Sequence, residues 1–78
     1  MMIETLDGRI YTGASLVDAV EEMRSSAGHV PSKSLREYME GVAFRTAQWN
    51  KSVVRADSVE HFAEDLVAAG IIVIHSMN

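Results

Sequence analysis

The chain has 78 residues, 47% of them hydrophobic and 23% charged, with a net charge of −4 and no cysteine. Those values suit one small globular domain over residues 1–78 rather than a disordered tail, and the lack of cysteine excludes disulfide frameworks, thiolate metal sites and cysteine nucleophiles. The longest apolar run, residues 68–74, is far short of the roughly 20 residues a bilayer span needs, and residues 1–13 lack the basic and apolar regions of a signal peptide. The expectation is a cytoplasmic protein without membrane attachment.

Met2–Leu6 and Arg9–Thr12 are β-prone runs on either side of Asp7-Gly8. Asp-Gly suits a two-residue type I′ hairpin turn, which needs positive φ at both central positions. Such a turn pairs Leu6 with Arg9, Thr5 with Ile10, Glu4 with Tyr11 and Ile3 with Thr12. The face holding Ile3, Thr5, Ile10 and Thr12 is then the expected core side.

Ser15 with Asp18 has the spacing of a capping box, and a helix is expected from Leu16 to about Ser26. Leu16, Ala19, Val20, Met23 and Ala27 recur at helical spacing on one side of it. Gly28 suits the residue that ends this helix, with His29–Lys33 as a connector in which Pro31 is a stop.

Ser34 and Glu37 form a second capping-box pattern, opening the longest periodic stretch in the chain, Ser34–Trp49. At about 100° per residue, Leu35, Tyr38, Met39, Val42, Thr46 and Trp49 share one face. Phe44 points the opposite way, among Gly41, Ala47, Gln48 and two glutamates. A large ring with small neighbours on a polar face marks either a doubly buried helix or a contact surface.

Asn50–Ala56 reads as a linker in which Val53-Val54 is a short extended piece. Asp57 with Glu60 signals a third helix, Ser58–Ala69, whose inner side holds Val59, Phe62, Ala63, Leu66 and Val67. Gly70 ends it, and Ile71–His75 is a β-branched run apolar on both faces, as in a strand covered on both sides. The fold expected is α+β in the order ββαααβ: a two-layer domain in which an N-terminal hairpin and a C-terminal strand form one small sheet beside three helices. Three helices can cover only one face of so small a sheet. The last strand therefore either lies centrally or meets a second subunit.

The residues carry little catalytic chemistry. His29, His61 and His75 are scattered, and Glu60, His61, Glu64 and Asp65 form the outer surface of a helix rather than three or four converging metal ligands. The serines sit mainly at caps and turns, and the glycines form no phosphate loop. No metal, no cofactor and no enzymatic activity are expected.

The middle of the chain is basic while both ends are acidic. Lys33, Arg36, Arg45 and Arg55 are the candidate anion contacts. Arg45 shares a helix side with Tyr38 and Trp49, so it either edges a small anion pocket or packs its stem against the rings. Nucleic acid is disfavoured as a partner. The hairpin precedes the helices, residues 50–57 are too long for a helix-turn-helix turn, and the third helix turns acids outward.

The candidate partner contacts are Phe44, Gly41, Ala47 and Gln48 on the central helix, and Ile72 and Ile74 on the last strand. The function expected is that of a non-catalytic protein-interaction or accessory domain that self-associates, as a homodimer or with another protein. The alternative is a nucleic-acid-associated regulator acting through the basic segment 33–55.

Overall fold

A computed structural model describes residues 1–26 and 34–75 of the chain. Its elements run β1 (Met2–Thr5), β2 (Ile10–Thr12), α1 (Leu16–Ser25), α2 (Leu35–Trp49), α3 (Val59–Ala68) and β3 (Ile72–His75). This is the expected ββαααβ order. The expected positions of Gly28, His29, Pro31 and Lys33 lie outside the described residues.

The hairpin forms, but one residue out of the expected register. Met2 pairs with Thr12, Ile3 with Tyr11 and Glu4 with Ile10. The Thr5 amide donates to the Arg9 carbonyl at 2.8 Å and the Gly8 amide to the Thr5 carbonyl at 3.0 Å. Leu6, Asp7 and Gly8 therefore form a longer loop in which Gly8, at φ +90, takes the left-handed position. A three-residue loop of this kind asks for positive φ only at its glycine, whereas a type I′ turn would also force Asp7 into that region. The Thr5 hydroxyl holds the loop by donating to the Asp7 carboxylate and accepting from the Arg9 amide at 3.1 Å. A shift of one residue exchanges the faces of a strand. Tyr11 accordingly packs against the core, and Ile10, expected inside, is 57% exposed.

β3 pairs antiparallel with β1 on its other side, giving a three-stranded sheet in the order β2-β1-β3. The central strand is thus β1, and β3 lies at an edge. The core gathers Ile3, Ala19, Val20, Met23, Met39, Val54, Val59, Phe62, Ala63, Leu66 and Ile72 between one face of the sheet and the three helices. Phe62 and Ile3, both without accessible surface, are its largest fully buried side chains. In the linker, Val54 is buried and Val53 exposed, so only the second valine tucks under the fold.

The caps explain where the helices begin. The Ser15 hydroxyl accepts from the Asp18 amide at 3.3 Å. At α2 the full capping box is present, Ser34 Oγ accepting from the Glu37 amide and Glu37 Oε1 from the Ser34 amide, both at 3.2 Å. α3 differs from expectation: its cap is Ser58, which accepts from the His61 amide at 3.1 Å, and Asp57 lies one residue before it. Asp57 instead reaches the His61 ring at 3.0 Å. At the other end of α2, Lys51 takes φ +56, and the Asn50 side-chain amide donates to the Ala69 carbonyl at 3.2 Å, tying the ends of α2 and α3 together.

Gly13 sets the approach of α1 to the sheet. A Cβ there would lie 2.4 Å from the Ala19 nitrogen and 2.6 Å from the Asp18 carbonyl carbon, so only glycine lets β2 run this close to the first turn of the helix.

Candidate functional site

The sheet has one covered face and one open face, and pleating decides which residues occupy each. Ile3, Ile72 and Ile74 point to the helices. Ile10, Glu4 and Val73 stand in one row across the open face, with Thr12, Met2 and His75 in the next row. Val73 is 54% exposed there. This corrects the expectation that Ile72 and Ile74 present the open side of the strand: Ile72 is buried in the core and Ile74 is half-buried against it. The side chains that reach solvent from β3 are Val73 and His75.

At the end of the sheet nearest the hairpin loop lie two adjoining hollows that share Thr5, Leu6 and Ile71. One, of about 230 Å³, runs along Glu4, Gly70 and Val73. The other, of about 480 Å³, is bounded by Asp7 and Trp49. Leu6 and Trp49 are 74% and 63% exposed at its rim. Three separate parts of the chain supply this apolar lining: the hairpin loop, the last turn of α2 and the residue that leads into β3. Trp49, expected on the core face of α2, instead stands exposed at this rim. The sequence signal for the hollow was Leu6, an aliphatic residue inside a turn.

Polar and charged side chains around this surface have partners in the same chain. Arg9 reaches Asp7 at 3.4 Å, and the His75 ring reaches Glu4 at 3.3 Å across the open face. The hydrogen bond from the Thr5 hydroxyl, with the nearby Arg9 charge behind it, holds the Asp7 carboxyl below its ordinary range.

Phe44 is 65% exposed on the outer side of α2, with Ala47 and Gln48 also exposed and Gly41 partly so. No described residue buries it, so Phe44 is not part of the core. It is also separate from the Leu6–Trp49 hollow, whose lining does not include it.

The basic segment is partly engaged within the chain. Arg55 binds Asp65 and approaches Glu64 at 3.8 Å, and Arg36 pairs with Glu40 one turn along α2 at 3.4 Å. Lys33 lies outside the described residues. Arg45 makes no ion pair or hydrogen bond among the described residues. Its guanidinium folds back over Gly41, with Nη1 3.8 Å from where a Cβ would stand. Burial pushes the Tyr38 hydroxyl above its usual range; the neighbouring Tyr11 adds to this and the charge of Arg45 opposes it. Arg45 therefore sits beside Tyr38, on the side expected.

No group of three or more histidine, aspartate or glutamate residues that could hold a metal occurs among the described residues. None of the described helices is long and apolar enough to cross a membrane. Comparison of the whole chain with known proteins found no matching family model, no similar curated protein and no similar solved structure.

Proposed function

We propose that this chain is a small, non-catalytic, cytoplasmic interaction domain whose partner is a second copy of itself, docked along the exposed side of β3 and the hollows beside it. The observation that carries this reading is the run of exposed apolar side chains from Val73 through the Leu6–Ile71 hollow to Trp49. An exposed Trp beside a hollow lined by aliphatic residues is the usual composition of an interface anchor. Stable interfaces take about 800 Å² from each partner, about a sixth of the 4925 Å² accessible here. Phe44 alone cannot supply that area, whereas a strand edge with its adjoining hollows offers a broader surface.

Charge favours a like partner at this place. The molecule carries −4 overall, but Asp7 beside the hollow is paired with Arg9. Two copies can meet there without the repulsion their remaining surfaces would impose. Sedimentation equilibrium from low to high micromolar concentration tests the reading. A rise in mass toward the dimer is expected, and a strict monomer throughout would remove it.

The alternative, a nucleic-acid-associated regulator using residues 33–55, has Arg45 in its favour as a cation with no partner among the described residues. Against it, Arg36 and Arg55 already have carboxylates. Retention of DNA or RNA at low salt, abolished by Arg45→Glu together with Arg55→Glu, would revive it.

A further inference from the structure

We infer that two copies join by antiparallel pairing of β3 with β3 of the second copy, centred on Val73 facing Val73, so that two three-stranded sheets become one continuous sheet. This rests on the self-association proposed above and specifies its geometry.

The inference starts from where the backbone groups of β3 point. In an antiparallel ladder, residues alternate between directing both N–H and C=O at one neighbour and directing them at the other. The Leu6 amide donates to the Ile71 carbonyl at 2.9 Å, which fixes the phase: Ile71, Val73 and His75 turn their backbone groups to β1. Ile72 and Ile74 turn theirs outward, to an edge that no strand among the described residues covers. The other side of β1 has the complementary phase, since the Thr5 amide donates to Arg9 of the hairpin.

Only certain two-fold registers satisfy those outward groups. Pairing about Val73 sets Ile72 opposite the second copy's Ile74, and Ile74 opposite its Ile72, as hydrogen-bonded pairs. Every outward N–H and C=O of β3 then finds a partner within the strand itself. Pairing about Ile74 would instead leave Ile72 without a partner within β3. The Val73 register also keeps like faces together. Val73 meets Val73 on the open face, while Ile72 and half-buried Ile74 meet across the seam on the helix side, extending one core into the other.

The edge itself is unguarded. Strands left at a sheet edge ordinarily carry a lysine, a proline or a bulge that discourages pairing. β3 reads Ile-Val-Ile-His and has none of these, and its one ionisable side chain is turned toward Glu4 of its own chain. A strand with such an edge pairs with whatever extended backbone it meets at high concentration, and an identical edge related by a two-fold axis is self-complementary.

The absence of cysteine from the chain makes the test direct. A Val73→Cys variant would place two thiols on facing residues about 4.5 Å apart at Cα, within the roughly 4.4–6.8 Å range a disulfide accepts. Mild oxidation at concentrations where the wild type is dimeric is expected to convert Val73→Cys to a covalent dimer, with Phe44→Cys lagging well behind under identical conditions. Amide exchange followed by NMR on the unmodified chain gives a second, independent reading. The Ile72 and Ile74 amides are expected to slow by about tenfold or more as the dimer forms, while Val73 and His75 are protected at every concentration. A wild type that dimerises with no protection gained at Ile72 and Ile74, and no cross-link at position 73, overturns the strand pairing but leaves self-association standing. A wild type that never dimerises overturns both.

Discussion

Arg55 holds Asp65 at three points: its Nε and Nη2 donate to the two carboxylate oxygens at 2.8 and 3.0 Å, and its own backbone amide donates to Oδ2 at 2.9 Å. The contact pins the end of the α2–α3 linker to the outer side of α3. It lowers the Asp65 carboxyl from its ordinary 3.8 to about 2. Because the folded value is the lower one, the pair stabilises the fold fully above about pH 4, and that contribution disappears as the pH falls toward about 2. Asp57, lowered by its hydrogen bond to His61, acts in the same sense. Denaturant midpoints of wild type and Asp65→Asn are expected to differ near neutral pH and to converge through that acid window. A gap that stays constant from neutral to acid would show that the pair carries no pH-linked stability.

Lys51 ends α2 in the left-handed region without being glycine, at φ +56. A residue with a Cβ loses roughly 1–2 kcal/mol there, part of which glycine gives back through its freer unfolded chain. Lys51→Gly is therefore expected to stabilise the protein by about 0.5–1 kcal/mol, raising the melting temperature by a few degrees. A lower melting temperature would mean that the lysine side chain contributes more than its backbone conformation costs.

Much of the architecture was readable because hydrophobic period and caps agree along the chain. Ser15 and Ser34 cap their helices as their spacing from Asp18 and Glu37 requires, and Phe62, Ala63 and Leu66 are buried as their spacing requires. What was not readable depends on backbone phase. Asp7-Gly8 is compatible with two loop lengths, and the choice between them, settled by Thr5 hydrogen bonds within the loop, reverses Ile10 and Tyr11. The last strand is apolar at every position from Ile71 to Ile74, so no alternation marks its inner face; only its pairing with β1 turns Ile72 in and Val73 out. The Leu6–Trp49 hollow joins residues far apart in sequence and on different elements, for which a helical or strand period holds no signal.

Gly13 offers a test of the α1 docking geometry. Its absent Cβ would overlap backbone atoms of Asp18 and Ala19, and backbone in the first turn of a capped helix cannot yield as a flexible side chain can. Gly13→Ala is expected to cost about 1–3 kcal/mol or more, read as a lower denaturant midpoint. A neutral result would show that the first turn of α1 moves away from β2 at little cost.

Phe44 separates the two surfaces on which self-association could rest. Its ring lies on the outer side of α2, outside the core cluster, so replacing it should remove few native contacts. Phe44→Glu is expected to leave stability within about 0.5 kcal/mol of wild type, as at other exposed positions, and to leave the solution mass unchanged. Val73→Lys, by contrast, places a charge on each side of the pairing axis and is expected to return a folded monomer, because like charges directly opposite in a ladder are destabilising. Light scattering on both variants, with melting curves to confirm that each is folded, distinguishes the cases. A folded monomer from Phe44→Glu beside an unaffected Val73→Lys would move the interface from the strand edge to the outer side of α2.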